Sequence, residues 1–210
     1  VSFMGESLVF FDVDTQVDFM SPAGRLYVPG AEQIVPNLRL LMNWARENNV
    51  PVISSADAHS AHDPEFKIWP PHCVIGTPGQ RRIPETQFPD PVVIPSIPGA
   101  FNPPVHWVGQ YIIEKPSYYP QDNPNFEAIL KSLGSRRAVV FGVATEYCVR
   151  ANVLALCHRG FQVDVVIDAI KSIDVEGGRK VLEEMAIAGT HTTTTAEVCR
   201  LVVPPATPTP

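Results

Sequence analysis

Ala138 to Ile167 reads AVVFGVATEYCVRANVLALCHRGFQVDVVI, and these residues decide the fold class. Ala138 to Val143 is a short apolar, β-prone run, as expected of a buried strand. Glu146 to His158 carries a helical pattern that Gly160 stops, and Phe161 to Ile167 reads as the next strand. Strand, helix and strand follow one another through short turns, the signature of parallel α/β architecture. Downstream, the pattern predicts a helix over Val175 to Ala188 and a short edge strand over Thr190 to Thr195. Upstream, Leu8 to Val13 (LVFFDV), Pro51 to Ser55 and Tyr111 to Ile113 read as strands. Ile34, Val35, Leu38, Leu41, Met42 and Ala45 give Ile34 to Arg46 helical spacing, and Phe126 to Leu133 forms a helix stopped by Gly134. The expected fold is α/β: an open, mainly parallel β-sheet flanked by helices on both faces.

Proline divides this chain of 210 residues unevenly: 14 of its 22 prolines fall between Pro64 and Pro124, and none between Asn125 and Val203. Proline fixes φ and removes a backbone donor, so the first stretch cannot be regular for long, while the second is free to be. The length suits one domain over residues 1–203, with a long proline-rich loop region from about 57 to 124. Residues 204–210, PPATPTP, are a polar tail expected to be disordered.

Hydrophobic residues at 45% and charged residues at 18% exclude a disordered or fibrous chain. No apolar run approaches the roughly 20 residues that cross a bilayer. The net charge of −6, with no basic cluster larger than the pairs Arg81–Arg82 and Arg136–Arg137, argues against nucleic acid. The four cysteines show no C-x-x-C spacing, and Val1 to Ser7 has no secretory pattern. A cytoplasmic protein acting on a small molecule, assembled as a homo-oligomer, is the expectation.

Ligands of open α/β sheets bind beyond the carboxyl ends of the strands, which directs attention to Asp14, the residues after Ser55, Lys115 and the segment after Val143. Two constellations stand there. In Asp57-Ala-His59, alternate residues of an extended segment share a side and can share one ion. His72, in Trp69-Pro-Pro-His72, could complete a two-histidine, one-carboxylate set, with Glu65 or His62 adding a contact directly or through water. The alternative is a polar loop whose histidines cap and bridge turns. In Gly142-Val-Ala-Thr-Glu-Tyr-Cys148, a cysteine opens a helix, where thiol pKa falls and N–H groups await an oxyanion. Asp14 and Lys115 could supply its base and its fixed cation; the alternative is an ordinary buried cysteine. Asp18 is expected to hold the site loop by hydrogen bonds.

Taken together these residues resemble the isochorismatase-like cysteine hydrolases, and within them the nicotinamidase branch, from Leu8 to about Gly189. FDVDTQVDFM and GRLYVPGA are similar to the family's D-x-Q-x-D-F start and its V-P-G loop. VISSADAH with HDPEFKIWPPHCVIGTPG resembles the metal loop, IIEKPSYY the lysine segment and GVATEYCVRAN the nucleophile segment. The resemblance implies a three-layer fold and a catalytic set of Asp14, Lys115 and Cys148. It also implies oxyanion donors at Ala144 and Cys148, metal ligands Asp57, His59 and His72 with Glu65 as a possible fourth, and a cis peptide at Val143–Ala144. Phe19 and Trp69 would hold the substrate ring, with Tyr118 on the same wall. A divalent metal is implied, with zinc the first expectation and iron or manganese also accepting these donors. The implied activity is hydrolysis of nicotinamide to nicotinate and ammonia through a cysteine thioester. The alternative is a metal-free relative acting on another small amide, carbamoyl or ureido compound. Two departures stand out: Thr15 follows the aspartate where the family commonly has valine or isoleucine, and PSYYPQDNPNF lacks the family's common Ser-Ala-Phe wording after the lysine.

Overall fold

A computed structural model of the protein describes residues 8–134 and 137–201, so the tail at 204–210 and the segment Val1 to Ser7 lie outside the described residues. The β-strands are β1 (Leu8–Val13), β2 (Val52–Asp57), β3 (Val92–Ile94), β4 (Gln110–Lys115), β5 (Arg137–Val143), β6 (Gln162–Lys171) and β7 (His191–Thr193). They form one sheet in the order β3-β4-β2-β1-β5-β6-β7, and every neighbouring pair runs parallel. The helices are α1 (Val17–Met20), α2 (Val35–Glu47), α3 (Phe126–Leu133), α4 (Arg150–Cys157), α5 (Val175–Ile187) and α6 (Thr195–Val198). Among the described residues no helix is long and apolar enough to cross a membrane.

Alternation along β1 creates three layers. Val9, Phe11 and Val13 pack with the apolar residues of α3, α4 and α5, while Phe10 faces α2 on the other side of the sheet. Phe10 stacks on Trp44 at 5.5 Å and meets the edge of Phe141 at 5.7 Å. Burying such a side chain contributes roughly 1.5–3 kcal/mol, so each face of the sheet is held by several comparable contacts. Gly142 allows β5 to lie this close to β1: its φ is +119°, and a Cβ there would sit 2.1 Å from the Val13 carbonyl oxygen.

The strand series differs from expectation at both edges. β3 is an extra three-residue strand between Pro91 and Pro95, too short for alternation to reveal it. The segment expected as one helix from Glu146 begins as a π-helical turn, Thr145–Val149, before α4. The expected strand over Thr190 to Thr195 shortens to β7, because Thr194 instead caps α6 in a reciprocal pairing with Glu197. Chain direction across the sheet reverses around β1, which has β2 on one side and β5 on the other. The crevice beyond the carboxyl ends of these strands is where such sheets bind ligands.

Candidate active site

Asp14 follows β1, Lys115 ends β4 and Cys148 sits in the π-helical turn after β5, so three carboxyl-terminal strand ends converge. All three side chains are buried. Lys115 Nζ donates to Asp14 Oδ2 at 2.8 Å and to the Ser117 carbonyl at 3.0 Å, lies 3.7 Å from Cys148 Sγ, and pairs closely with Asp57 Oδ1. Ser55 Oγ donates to the other Asp14 oxygen at 2.7 Å. The Val143–Ala144 peptide is cis, and the Ala144 carbonyl accepts from Tyr147 and Val149 at 3.1 Å each.

These surroundings set the protonation states. Burial pushes the Cys148 thiol well above its ordinary pKa, and the Asp14 carboxylate adds to the shift, so the thiol needs a base. Burial, with the charge of Asp57, raises Asp14 against the opposing pull of Lys115, which makes it a better proton acceptor than an ordinary aspartate. For Lys115, burial works against the charged form, but Asp14 and Asp57 outweigh it and hold the ammonium firmly protonated.

Asp57 links this set to a second cluster. Its Oδ2 lies 3.6 Å from His59 Nε2 and 3.5 Å from His72 Nε2, and candidate ligand atoms of the three residues lie within 4.8 Å of one another. His72 Nδ1 is 2.9 Å from the Pro70 carbonyl, which fixes that nitrogen as the donor and leaves Nε2 free to ligate. His59 is fully buried, and neither ring nitrogen has a well-aligned hydrogen bond. Its Nδ1 lies 3.2 Å from Asp63 Oδ2. Two buried imidazoles and a carboxylate converging with unsatisfied nitrogen fit a divalent cation far better than a closed polar loop. Burial acts to raise Asp57, yet the Lys115 ammonium, with the His59 and His72 imidazoles close by, holds its carboxyl well below the usual range. Glu65 Oε1 stands 4.0 Å from His72 Nε2, at the rim of the cluster, whereas His62 is exposed and outside it.

Both clusters open into one pocket of about 390 Å³, part of it open solvent. Phe19, Trp69 and Tyr118 line it, together with Asp57, Glu65, His72, Ala144 and Cys148. Sequence reasoning missed Leu26, Val28, Tyr147 and Ile173 on the same wall. Tyr147 meets the edge of Trp69 at 5.3 Å, and Phe66 packs 5.5 Å from His59. Glu146 sets the Ile173 side: its carboxylate accepts from the Ile173 N–H at 3.1 Å and the Asp174 N–H at 2.7 Å, while Asp174 caps α5. A signal for Tyr147 and Glu146 lay in their position beside the cysteine; nothing local marked Ile173. Asp18 has the expected structural role, accepting from the Arg25 and Cys73 N–H groups.

The isochorismatase domain model matches residues 8–197, and that extent contains both clusters. The chain belongs to the isochorismatase family. Similar proteins include nicotinamidases, which are amide hydrolases. The nicotinamidase of Escherichia coli (strain K12) is 27% identical over 206 residues, covering 88% of this chain and 93% of that protein. The nicotinamidase of Saccharomyces cerevisiae is also 27% identical, covering 82% and 93%. Among solved structures, the pyrazinamidase of Pyrococcus horikoshii in complex with zinc superposes with a TM-score of 0.76 at 29% identity, covering 90% of this chain and 99% of that one. This isochorismatase-family chain is thus an amide hydrolase with the three-layer α/β fold expected from its sequence.

Proposed function

We propose that this family member is a nicotinamidase: a metal-containing amidohydrolase that converts nicotinamide to nicotinate and ammonia through a thioester on Cys148. The observation that carries the reading is Asp57, whose two oxygens face different partners, Lys115 on one side and the imidazoles of His59 and His72 on the other. It joins a nucleophile set to a metal-ligand set in one small pocket, and a metal-free amidase has no need of the second.

In this reading Asp14 takes the Cys148 thiol proton as sulfur attacks the carboxamide carbon, and Lys115 balances the charges around them. Electron density moves to the carbonyl oxygen, toward the N–H groups of Ala144 and Cys148. Losing one such donor typically costs on the order of 3 kcal/mol of barrier. The C–N bond then breaks, Asp14 returns its proton to the leaving nitrogen, and ammonia departs. Asp14 next takes a proton from water, whose oxygen attacks the thioester; the C–S bond breaks and Cys148 is regenerated with that proton. Asp57, His59 and His72 would hold a divalent ion, with Glu65 near enough to contribute through water, and the ion would supply a Lewis-acid anchor for the pyridine nitrogen. Zinc is the proposed ion, though the donor set also suits iron and manganese. Phe19, Trp69 and Tyr118 would hold the ring by stacking and edge contacts. The activity belongs to pyridine nucleotide salvage, and four free cysteines suit the reducing cytoplasm in which we place it.

Ammonia release from nicotinamide by the metal-replete protein, with Cys148→Ala as control, tests this function. Turnover that disappears in the variant is expected. Failure to hydrolyse nicotinamide, with turnover of a carbamoyl or ureido compound instead, would overturn it.

A further inference from the structure

Behind Asp14, away from the pocket, lies a second pair of buried charges that the reaction does not use. Asp12 is fully buried inside β1, and Arg82, on the proline-rich segment, is 8% exposed. Arg82 Nη2 pairs closely with Asp12 Oδ2 and with Thr15 Oγ1, and lies 3.3 Å from Thr86 Oγ1. Arg82 Nη1 donates to the Ser55 carbonyl at 3.1 Å. That same carbonyl accepts the Asp14 N–H at 3.2 Å, and Ser55 Oγ is the group that donates to Asp14 Oδ1. Thr15 Oγ1 also donates to Asp12 Oδ1 at 2.9 Å, which gives the departure from valine or isoleucine at this position a physical purpose.

Asp14 needs such support. Its φ is +48°, a left-handed conformation uncommon in side-chain-bearing residues, although aspartate tolerates it better than most. The guanidinium reaches the residue two before Asp14, the residue after it, and the strand that hydrogen-bonds it. The backbone repeats the arrangement: Gln16 and Arg82 form an isolated antiparallel bridge, Val17 N–H donates to Arg81 and Ile83 N–H to Thr15. A planar fork can serve these separate acceptors together, whereas an ammonium is a point charge. Arg82 is absent from the pocket wall, so its effect on chemistry is indirect, through Thr15, Ser55 and the paired backbone around them.

We propose that Arg82, paired with Asp12, is a positioning residue that fixes the catalytic aspartate Asp14 from behind through Thr15 and Ser55. The proposal rests on the catalytic role given to Asp14 above. A merely structural ion pair makes a different prediction. Removing one buried partner destabilises a protein, but replacing both with apolar residues of similar size often restores stability. A stabilising pair would therefore be dispensable in the double variant, and a positioning pair would not.

The test uses the full-length, metal-replete protein as Arg82→Lys and as Asp12→Leu/Arg82→Met, with melting temperature, kcat and KM measured for each. The expected result is a double variant that melts close to the wild type yet has kcat lower by about 10- to 100-fold, the scale of a small misplacement of a catalytic group, with KM within about twofold. Arg82→Lys, which keeps the charge and loses the fork, should show the same split at smaller size. Folded variants with wild-type kcat would overturn the proposal. Cys148-dependent hydrolysis of p-nitrophenyl acetate, corrected with the matching Cys148→Ala derivative, gives a second readout that needs no pyridine nitrogen. If the wild type hydrolyses this ester but not nicotinamide, the substrate reading fails, and the same variants still decide the role of Arg82.

Discussion

His72 and Lys115 lie in a stretch with fourteen prolines, Cys148 in one with none, and the two stretches hold their side chains by different means. The proposed nucleophile rides on a regular crossover: β5 delivers the chain to the π-helical turn, and α4 carries it back under the sheet. The proposed metal side has little regular structure of its own. Short 3₁₀ turns start at Pro64, Pro78 and Pro84, and an isolated bridge joins His59 to Val74. Fixed φ angles lower the entropy lost when such a loop is ordered, but they supply no hydrogen bonds. Those come from buried side chains: Asp18 to the Cys73 N–H, Gln16 to the Asp57 and Gln80 backbones, and Arg82 to Ser55. The Cys148 turn should therefore tolerate surface change, whereas the proposed metal wall should fail when a single polar anchor is lost.

Lys115 joins the two regions, so its loss should break the comparison most severely. Lys115→Met leaves Asp14 and Asp57 buried without their cation, and breaking a buried pair this way costs about 3–5 kcal/mol. Denaturant unfolding should show that loss, and kcat should fall by at least about 10³-fold, in line with removal of members of catalytic sets. Near-wild-type stability would mean that the two carboxylates do not depend on it.

Asp63→Asn probes the metal wall alone. Asp63 both caps the turn at Pro64, accepting from the Glu65 N–H at 2.9 Å, and faces His59 Nδ1. A carboxylate behind a metal-ligating histidine is worth about 10- to 100-fold in metal affinity. Competition with a chelator should show that weakening in Asp63→Asn, while Cys148-dependent hydrolysis of p-nitrophenyl acetate is retained. Equal metal affinity in variant and wild type would remove Asp63 from the site.

Two smaller effects concern the pocket wall. Trp69→Ala removes an aromatic face worth about 1 kcal/mol, so KM for nicotinamide should rise by several-fold with little change in kcat. Glu146→Gln weakens the clamp on Ile173 from the regular half and should raise KM by only about two- to threefold. A larger fall in kcat than rise in KM for Glu146→Gln would place it with the nucleophile turn instead.

The strands that carry the site were legible because buried parallel strands announce themselves as apolar runs: LVFFDV, PVISS and AVVFGV lie within a residue or two of the observed β1, β2 and β5. Asp14 and Lys115 stood out because each falls at or just beyond the end of such a run, and Cys148 because it opens the helical segment that follows one. β3 did not, since three residues between prolines carry no period. Asp63, Arg82 and Ile173 were invisible for another reason. Each acquires its role from a partner distant in sequence or from loop geometry, and nothing in their own neighbourhoods distinguishes them from surface polar or apolar residues. Asp12 could have been suspected, because a charge inside an all-apolar strand requires a buried partner, but its sequence position does not say which arginine provides it.

The central claim is that Cys148 becomes covalently acylated by nicotinamide in a pocket whose metal side only positions the ring. Rapid acid quenching of the metal-replete enzyme during turnover, followed by mass spectrometry of the peptide that contains Cys148, tests this directly. A nicotinoyl adduct on Cys148 that disappears as substrate is exhausted is the predicted result. Continued nicotinamide hydrolysis by Cys148→Ala, with no adduct on the wild-type peptide, would contradict it.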